Sequence, residues 1–307
     1  MLAVLLKLSS VTLFVVMNVG VKHLGGTIPV GEMIAVRGAI GATAIMLIAW
    51  RMQTLHLIRT AHLRSHVLRS SAGVLAMFTW FLSLTRAPMA DATAVVYAGP
   101  IFATLLAAPM LRERIPAHRW FAVVLGFGGV LVMTGSHITH PDAATAGLVL
   151  ALLCALFAAF GMIYLRQMSR TEHALTTTFY FSITSLVGAA LTVSRGWPLP
   201  SANDWGFLVL IGLLGTGAQF LMSAAFRYGE ASIVVPIEYT GIALATLLGY
   251  LFFGELPGTS IWVGAPLVVV AGLLIVWGEY RPAPRLGYEN LPDRGAKPSP
   301  AETPPTL

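Results

Sequence analysis

Ten apolar stretches follow one another along this chain of 307 residues, and this feature limits the possible folds more than any other. About 20 residues of α-helix cross the hydrocarbon core of a bilayer. The chain is 56% hydrophobic and 10% charged, whereas soluble domains are about a quarter charged. We therefore predict an all-α integral membrane protein. Its transmembrane helices are expected at roughly 3–22, 31–50, 68–86, 91–111, 117–135, 145–166, 174–194, 204–226, 231–253 and 259–278.

One stretch of the chain occurs twice, as YAGPIFATLLAAPMLRE at 97–113 and YTGIALATLLGYLFFGE at 239–255. The matched pairs are Tyr97/Tyr239, Gly99/Gly241, Ala103/Ala245, Thr104/Thr246, Leu105/Leu247, Leu106/Leu248 and Glu113/Glu255. The copies fall in the fourth and ninth spans, so each half holds five spans. An odd number of spans brings the second half into the membrane from the opposite side. We therefore predict two inverted repeats, at 1–136 and 143–279, which is typical of secondary transporters with a substrate site near the midplane.

The basic residues predict the orientation of the spans. Those on the side of the N-terminus are Arg51, Arg59, Arg64, Arg69, Arg112, Arg114, Arg119, Arg166, Arg170, Arg227, Arg281, Arg285, Arg294 and Lys297, whereas only Lys22, Arg86 and Arg195 lie on the other side. Lys and Arg accumulate in cytoplasmic loops. We therefore expect both termini in the cytoplasm and assign the net charge of +6 to orientation, with no nucleic-acid partner. Residues 280–307 are rich in proline and polar residues, which predicts a disordered cytoplasmic tail.

The region SLTRAPMADATAVVYAGPIFATLLAAPMLRERIPAHRWFAVVLGFGGVLVM resembles the conserved core of the drug/metabolite transporter superfamily, EamA type. Its counterpart, which begins at AFRYGEASIVVPIEYTG, resembles the second EamA unit. The resemblance implies ten helices around a central cavity, without nucleotide hydrolysis. Relatives include exporters of amino acids and metallophores as well as importers of riboflavin and S-adenosylmethionine, so the substrate stays open. Arg37 and the PIEYT stretch are most similar to the riboflavin and S-adenosylmethionine branch.

Glu238 is the first candidate for a substrate or proton site, because an acidic residue deep in a membrane helix is costly and by default suggests function. Pro236 lacks an amide proton, so a kink there would free backbone carbonyls beside the acid, and Pro100 is expected to kink the fourth span. Arg37 lies within the second span and is expected to meet either a carboxylate on another helix or a substrate anion. A pair between Arg37 and Glu238 across the cavity is one hypothesis. A structural role for each charge is the alternative.

Tyr97 and Tyr239 occupy equivalent positions in the two repeats, so we expect them on either side of the pseudo-two-fold axis. Their rings could stack on a substrate, or they could be buried tyrosines that only pack. Further residues are expected to line the cavity: Asn18, Trp80, Phe81, Phe179, Tyr180 and Gln219.

These patterns favour a transporter of the bacterial cytoplasmic (inner) membrane that works by alternating access. Export of amino-acid-like metabolites, metallophores or drugs is the leading prediction, and import of riboflavin or S-adenosylmethionine is the alternative. The HITHPD motif at 137–142 has the His-to-Asp spacing of some acyltransferases, but so short a motif arises readily by chance, so we expect no enzyme activity. No cofactor or metal site is predicted. Protons are a further candidate partner beside membrane lipids, and a monomer or a homodimer is compatible with the pattern.

Overall fold

The computed structural model describes residues 1–111, 117–139, 143–169, 171–229, 234 and 236–279. Eleven helices are described: α1 Leu2–Leu24, α2 Val30–Arg51, α3 Leu63–Leu84, α4 Met89–Val96, α5 Gly99–Leu111, α6 Ala117–Thr139, α7 Ala143–Met168, α8 Ala174–Ala190, α9 Ala202–Tyr228, α10 Thr240–Phe253 and α11 Ile261–Glu279. Short 3-10 turns lie at Leu55–Ile58, Val193–Arg195 and Pro236–Tyr239. The predicted tail, Glu113, the basic residues Arg112, Arg114 and Arg170, and the end of the HITHPD motif lie outside the described residues.

Ten helical stretches occupy the ten predicted spans within the described part of the chain. Seven are long and apolar enough to cross a membrane: Leu2–Leu24, Val30–Arg51, Leu63–Leu84, Met89–Leu106, Ala144–Met168, Ala202–Tyr228 and Pro236–Phe253. Shorter apolar stretches fill the other three positions: Trp120–Thr134, Ala174–Ala190 and Ile261–Ile275. The fold is therefore that of a multi-pass membrane protein, and the predicted all-α class is confirmed.

The helix contacts follow the predicted exchange of the two halves. The first span, α1, packs most extensively against the eighth, α9, and the third, α3, packs equally closely against the sixth, α7. These two contacts are equivalent if the repeats exchange places. The remaining extensive contacts, α2 with α8 and α6 with α11, each join a helix to its own repeat counterpart. A pseudo-two-fold relation between the halves produces this set of contacts.

The helices that contact their own counterparts run antiparallel, which shows that the repeats are inverted. Ser260, the residue before α11, donates from Oγ to the Met133 carbonyl of α6 at 3.5 Å, and a Cβ on Gly126 of α6 would lie 3.0 Å from Ala271 Cβ of α11. Residues with increasing sequence numbers along α6 therefore contact residues with decreasing sequence numbers along α11. A parallel pair of repeats would align the two helices instead, so a single axis in the membrane plane relates them.

The fourth and ninth spans both depart from α-helix at an equivalent residue, Tyr97 in one repeat and Tyr239 in the other. In the fourth span, α4 ends at Val96, and α5 begins at Gly99 after a turn through Tyr97. Pro100 has no N–H to donate to the carbonyl of Val96, which accounts for the end of α4 at that residue. In the ninth span, α10 begins only after the 3-10 turn Pro236–Tyr239. Both predicted kink prolines therefore lie at the start of a helical segment rather than inside one.

Candidate functional site

A cavity of about 510 Å³ lies between the two repeats and is lined by residues from both. Its volume is in the range of small-molecule sites, which run from about 300 to 1,000 Å³. Most of its wall is apolar, and the polar groups that enter it are few. They include side chains from α1, α2, α3 and α9 and the turn before α10. The predicted central cavity is therefore present.

The cavity is displaced toward one end of the helices. Its wall uses the middle parts of α1 and α3, over Lys7–Asn18 and Arg69–Phe81, together with the last part of α7, over Cys154–Gln167, and Gln219 and Met222 late in α9. Because α3 and α7 run antiparallel, the start of one lies beside the end of the other. A Cβ on Gly161 would lie 3.5 Å from the Arg69 carbonyl oxygen, which places these two segments together. The cavity is therefore nearest the membrane face on which α1 begins.

The opposite end is closed by an ion pair between Lys22 and Glu255. Lys22 Nζ lies 2.7 Å from Glu255 Oε1 and also donates to the Ala87 carbonyl at 2.6 Å. Glu255 Oε2 accepts the Met89 amide at 2.9 Å and so caps the start of α4. Glu255 thus anchors the end of its span to α1 and to the start of α4. The cluster joins α1, the start of α4 and the segment that follows α10.

Glu238 forms an ion pair with Lys7, not with Arg37. The Lys7 ammonium donates to Glu238 Oε1, and both side chains line the cavity. Lys7 is buried at 2% exposure, whereas the Glu238 side chain is 22% exposed. Glu238 belongs to the 3-10 turn that precedes α10. The hypothesis of an Arg37–Glu238 pair is therefore wrong, because a lysine from α1 is the residue that pairs with the Glu238 carboxylate.

Arg37 lies on another part of the cavity wall, together with Arg69 and Phe181. The guanidinium carbons of Arg37 and Arg69 lie 5.4 and 5.0 Å from the centre of the Phe181 ring. Arg37 donates to Met77 Sδ at 2.8 Å and to the Gly215 carbonyl at 3.1 Å. All three side chains of this cluster are buried and line the cavity. We call Arg37, Arg69 and Phe181 the arginine cluster.

Tyr97 and Tyr239 meet edge to face, with ring centres 5.8 Å apart and an interplanar angle of 84°. Tyr97 lines the cavity, whereas Tyr239 lies behind it against Gly272, where an added Cβ would come within 1.5 Å of the Tyr239 hydroxyl. These equivalent residues of the two repeats are therefore in contact. Only Tyr97 has access to the cavity.

The other predicted lining residues divide into two groups. Asn18, Trp80, Phe81 and Gln219 line the cavity, and Trp80 Nε1 donates to Asn18 Oδ1 at 3.0 Å. The prediction for Phe179 and Tyr180 is wrong. Phe179 lies in a separate shallow groove, and Tyr180 packs on His66 with ring centres 4.6 Å apart.

Three cavity cations, Lys7, Arg69 and Arg166, were not predicted as site residues. Lys7 lies near the start of the first apolar run, and a lysine at that position was the available signal. Arg69 was counted among the cytoplasmic loop cations, because it lies at the very start of the predicted third span, which begins at residue 68. The helix in fact begins at Leu63, so Arg69 lies within it and is 4% exposed.

Comparison with known proteins agrees with this architecture. The model of the EamA-like transporter family matches residues 1–135 and 145–277. The chain is 32% identical over 271 residues to the pseudopaline exporter CntI of Pseudomonas aeruginosa, covering 87% of this chain and 93% of that protein. It is 29% identical over 222 residues to an S-adenosylmethionine uptake transporter of Rickettsia prowazekii, covering 72% of this chain and 74% of the relative. A riboflavin transporter of Rhizobium johnstonii is 28% identical over 227 residues, with 73% and 74% covered.

One solved crystal structure has the same fold, with a TM-score of 0.64 and 20% identity. The match covers 91% of this chain and 98% of the solved chain. Together with the cavity between inverted repeats, the family match identifies the class of the protein. The chain belongs to the EamA-like transporter family and is a small-molecule transporter.

Proposed function

We propose that this protein is a secondary carrier of the bacterial inner membrane that moves an amino-acid-like metabolite outward by alternating access. The observation that carries the proposal is a cavity between inverted repeats that is displaced toward one membrane face and closed at the other by Lys22 and Glu255. Two equivalent repeats can exchange conformations, so the same fold yields a state that is open on either side. We assign the repeats to residues 1–136 and 143–279.

The orientation follows from the basic residues. If both termini are cytoplasmic, as the positive-inside bias predicts, the cavity faces the cytoplasm. A substrate would then enter beside Lys7 and leave after the cluster of Lys22 and Glu255 opens. One chain contains both repeats, so a monomer is sufficient for this cycle.

Three features support an exporter of amino-acid-like metabolites or metallophores. The pseudopaline exporter matches more of this chain, at higher identity, than the S-adenosylmethionine and riboflavin transporters described above. Among the described residues that line the cavity, the cationic side chains outnumber the single acidic side chain, that of Glu238. A substrate with carboxylates is therefore favoured over one with net positive charge. Glu238, on the wall with Lys7, could receive a substrate amine or a proton.

Import of riboflavin is the second candidate. The aromatic side chains of Trp80, Phe81 and Tyr97 line the cavity, and such rings stack on a flat heterocycle. Import of S-adenosylmethionine has support from the relatives but not from the cationic wall. We propose no enzyme activity, since the named relatives are transporters.

Flux through purified protein tests the proposal directly. The wild type and Glu238→Gln would be reconstituted in liposomes and screened for counterflow of radiolabelled amino acids, riboflavin and S-adenosylmethionine. We expect counterflow of an amino-acid-like solute that is lost in Glu238→Gln. A carrier specific for riboflavin would support the second candidate, and folded protein without flux for any solute would contradict carrier function. Repeating the assay with a pH gradient distinguishes proton coupling from facilitated exchange.

A further inference from the structure

We propose that the arginine cluster is the anion subsite of the cavity and that it binds a small organic acid with two carboxylates. This inference rests on the proposed transport function and adds the chemical class of the substrate. It assigns one carboxylate to Arg37 and one to Arg69, with the Phe181 ring, which lies near both guanidinium groups, as their support. The remainder of the substrate would extend along the cavity toward Lys7 and Glu238.

The first argument is that neither guanidinium has a carboxylate partner. Among the described residues, the ion pairs are Lys7–Glu238, Lys22–Glu255 and His66–Glu172, and none includes Arg37 or Arg69. The guanidinium of Arg69 donates to the Thr177 carbonyl at a long 3.4 Å. Arg37 Nε has no hydrogen-bond partner at all within the described structure. Donor capacity for an anion is therefore present on both side chains.

The second argument is the cost of this arrangement. A buried charge without a counter-charge is strongly unfavourable, so charges within membrane helices are normally paired or face a water-filled cavity. Arg37 and Arg69 are 5% and 4% exposed, yet both line the cavity. Two unpaired cations on one aromatic ring also repel each other. A substrate that brings two negative charges removes both penalties at once.

The third argument is that the surrounding backbone leaves space for these side chains. A Cβ on Gly215 would lie 2.2 Å from Arg37 Nε, and a Cβ on Gly73 would lie 2.7 Å from Phe181 Cε2. Any larger residue at either position would displace the cluster. Glycines from α9 and α3 thus hold the cation and the ring on one stretch of wall, where each guanidinium can offer a planar pair of donors to a carboxylate.

Matched ligands can test the charge requirement. Purified protein in lipid nanodiscs would be titrated with N-acetylglutamate, which carries two carboxylates, and with its neutral dimethyl ester. Riboflavin and flavin mononucleotide form a second pair that differs by a phosphate. Binding is read as thermal stabilisation, which grows with ligand concentration above the Kd. We expect N-acetylglutamate to bind at least tenfold more tightly than its ester.

Variants then locate the subsite. Arg37→Gln and Arg69→Gln should each weaken N-acetylglutamate binding by at least tenfold, and Arg69→Lys should restore part of it. Arg51→Gln is the matched control, because Arg51 is exposed at the end of the same helix as Arg37 and should bind as the wild type does. Each variant is first checked for an unchanged elution volume and melting temperature.

The proposal is overturned if the ester binds as tightly as the acid, if N-acetylglutamate does not bind, or if the folded Arg→Gln variants bind it normally. Tight binding of flavin mononucleotide alone would assign the cluster to phosphate instead and would equally overturn it. The transport function is judged separately by liposome flux. Flux of a neutral solute that persists in both arginine variants would support the transport function and contradict the proposed anion subsite. Binding of the dicarboxylate without flux of any solute would support the anion subsite and contradict the transport function.

Discussion

Lys7 of α1 and Glu238 of the turn before α10 form an ion pair across 231 residues of sequence, and both side chains line the cavity. The same helix α1 contacts the end of the ninth span through Lys22 and Glu255. Helix α1 therefore contacts the ninth span at two places, near the beginning of that span and just beyond its end. The two pairs differ in position, since Lys7 belongs to the cavity and Lys22 to the closed end.

The first prediction concerns the Lys7–Glu238 pair. Removing one member leaves a buried charge unpaired, which costs about 3–5 kcal/mol in buried pairs. Because Glu238 is partly exposed, we expect Lys7→Met to lower stability by about 2 kcal/mol and to abolish flux. Thermal unfolding in detergent and liposome counterflow measure the two effects separately.

The double variant Lys7→Met with Glu238→Gln distinguishes function from structure. Neither side chain is charged in it, so stability should recover most of the loss. If the pair acts in transport, flux stays absent in this folded protein. Recovery of both stability and flux would show that the pair is structural only.

The sequence predicted the number and inversion of the spans because these depend on the length of apolar runs and on a repeat. It did not predict which charges meet, because that depends on the rotation of each helix about its axis. The segment Phe179–Phe181 has three aromatic residues in succession, so no periodicity shows which of them faces inward. Two residues of helix turn by about 200°, and Phe181 therefore lines the cavity while Phe179 faces a different groove.

Arg69 shows a second physical limit of the sequence. Hydropathy assigns the polar start of this helix to a loop. In the structure, α3 begins at Leu63 and includes Arg64, His66 and Arg69. His66 is fully buried and lies 3.4 Å from Glu172, a contact that no local pattern predicts. Charged residues at the end of a span are hidden by helix packing rather than by their own hydrophobicity.

A second prediction uses Cys154, the single cysteine of the chain, which lines the cavity. If the cavity faces the cytoplasm, a membrane-impermeant maleimide should label Cys154 in inside-out vesicles and react far more slowly in intact cells. Glu255→Gln removes the ion pair that closes the other end. The pair is partly exposed, so we expect a shift of about 1 kcal/mol, or roughly fivefold faster labelling from outside.

Asp204→Asn is the control for this labelling experiment. Asp204 lies in an exposed capping box at the start of α9, and asparagine can still accept hydrogen bonds at a helix start. Its labelling rates should equal those of the wild type. Equal rates for Glu255→Gln and the wild type from outside would contradict a gating role for Lys22 and Glu255.

A third prediction tests the orientation. Leu199 is 98% exposed in the segment between α8 and α9, whereas Gln53 lies between α2 and α3. In a Cys154→Ala background, Leu199→Cys should react with an impermeant maleimide in intact cells, and Gln53→Cys should react only after permeabilisation. The reverse pattern would place both termini outside and would turn the cavity toward the exterior.

The last prediction concerns the glycine beside Arg37. An added methyl at Gly215 would meet Arg37 Nε at 2.2 Å and Met17 Sδ at 2.8 Å, so Gly215→Ala should push the guanidinium out of the arginine cluster. Overpacking of this kind costs about 1–3 kcal/mol, and we expect flux to fall at least tenfold. Gly217→Ala is the matched control two residues later, because its methyl would meet only Leu13 Cδ1 at an ordinary 3.5 Å. Since alanine favours a helix over glycine by about 1 kcal/mol, Gly217→Ala should be as stable as the wild type or slightly more so, with normal flux. Equal flux in the two variants would mean that the position of Arg37 does not matter for transport.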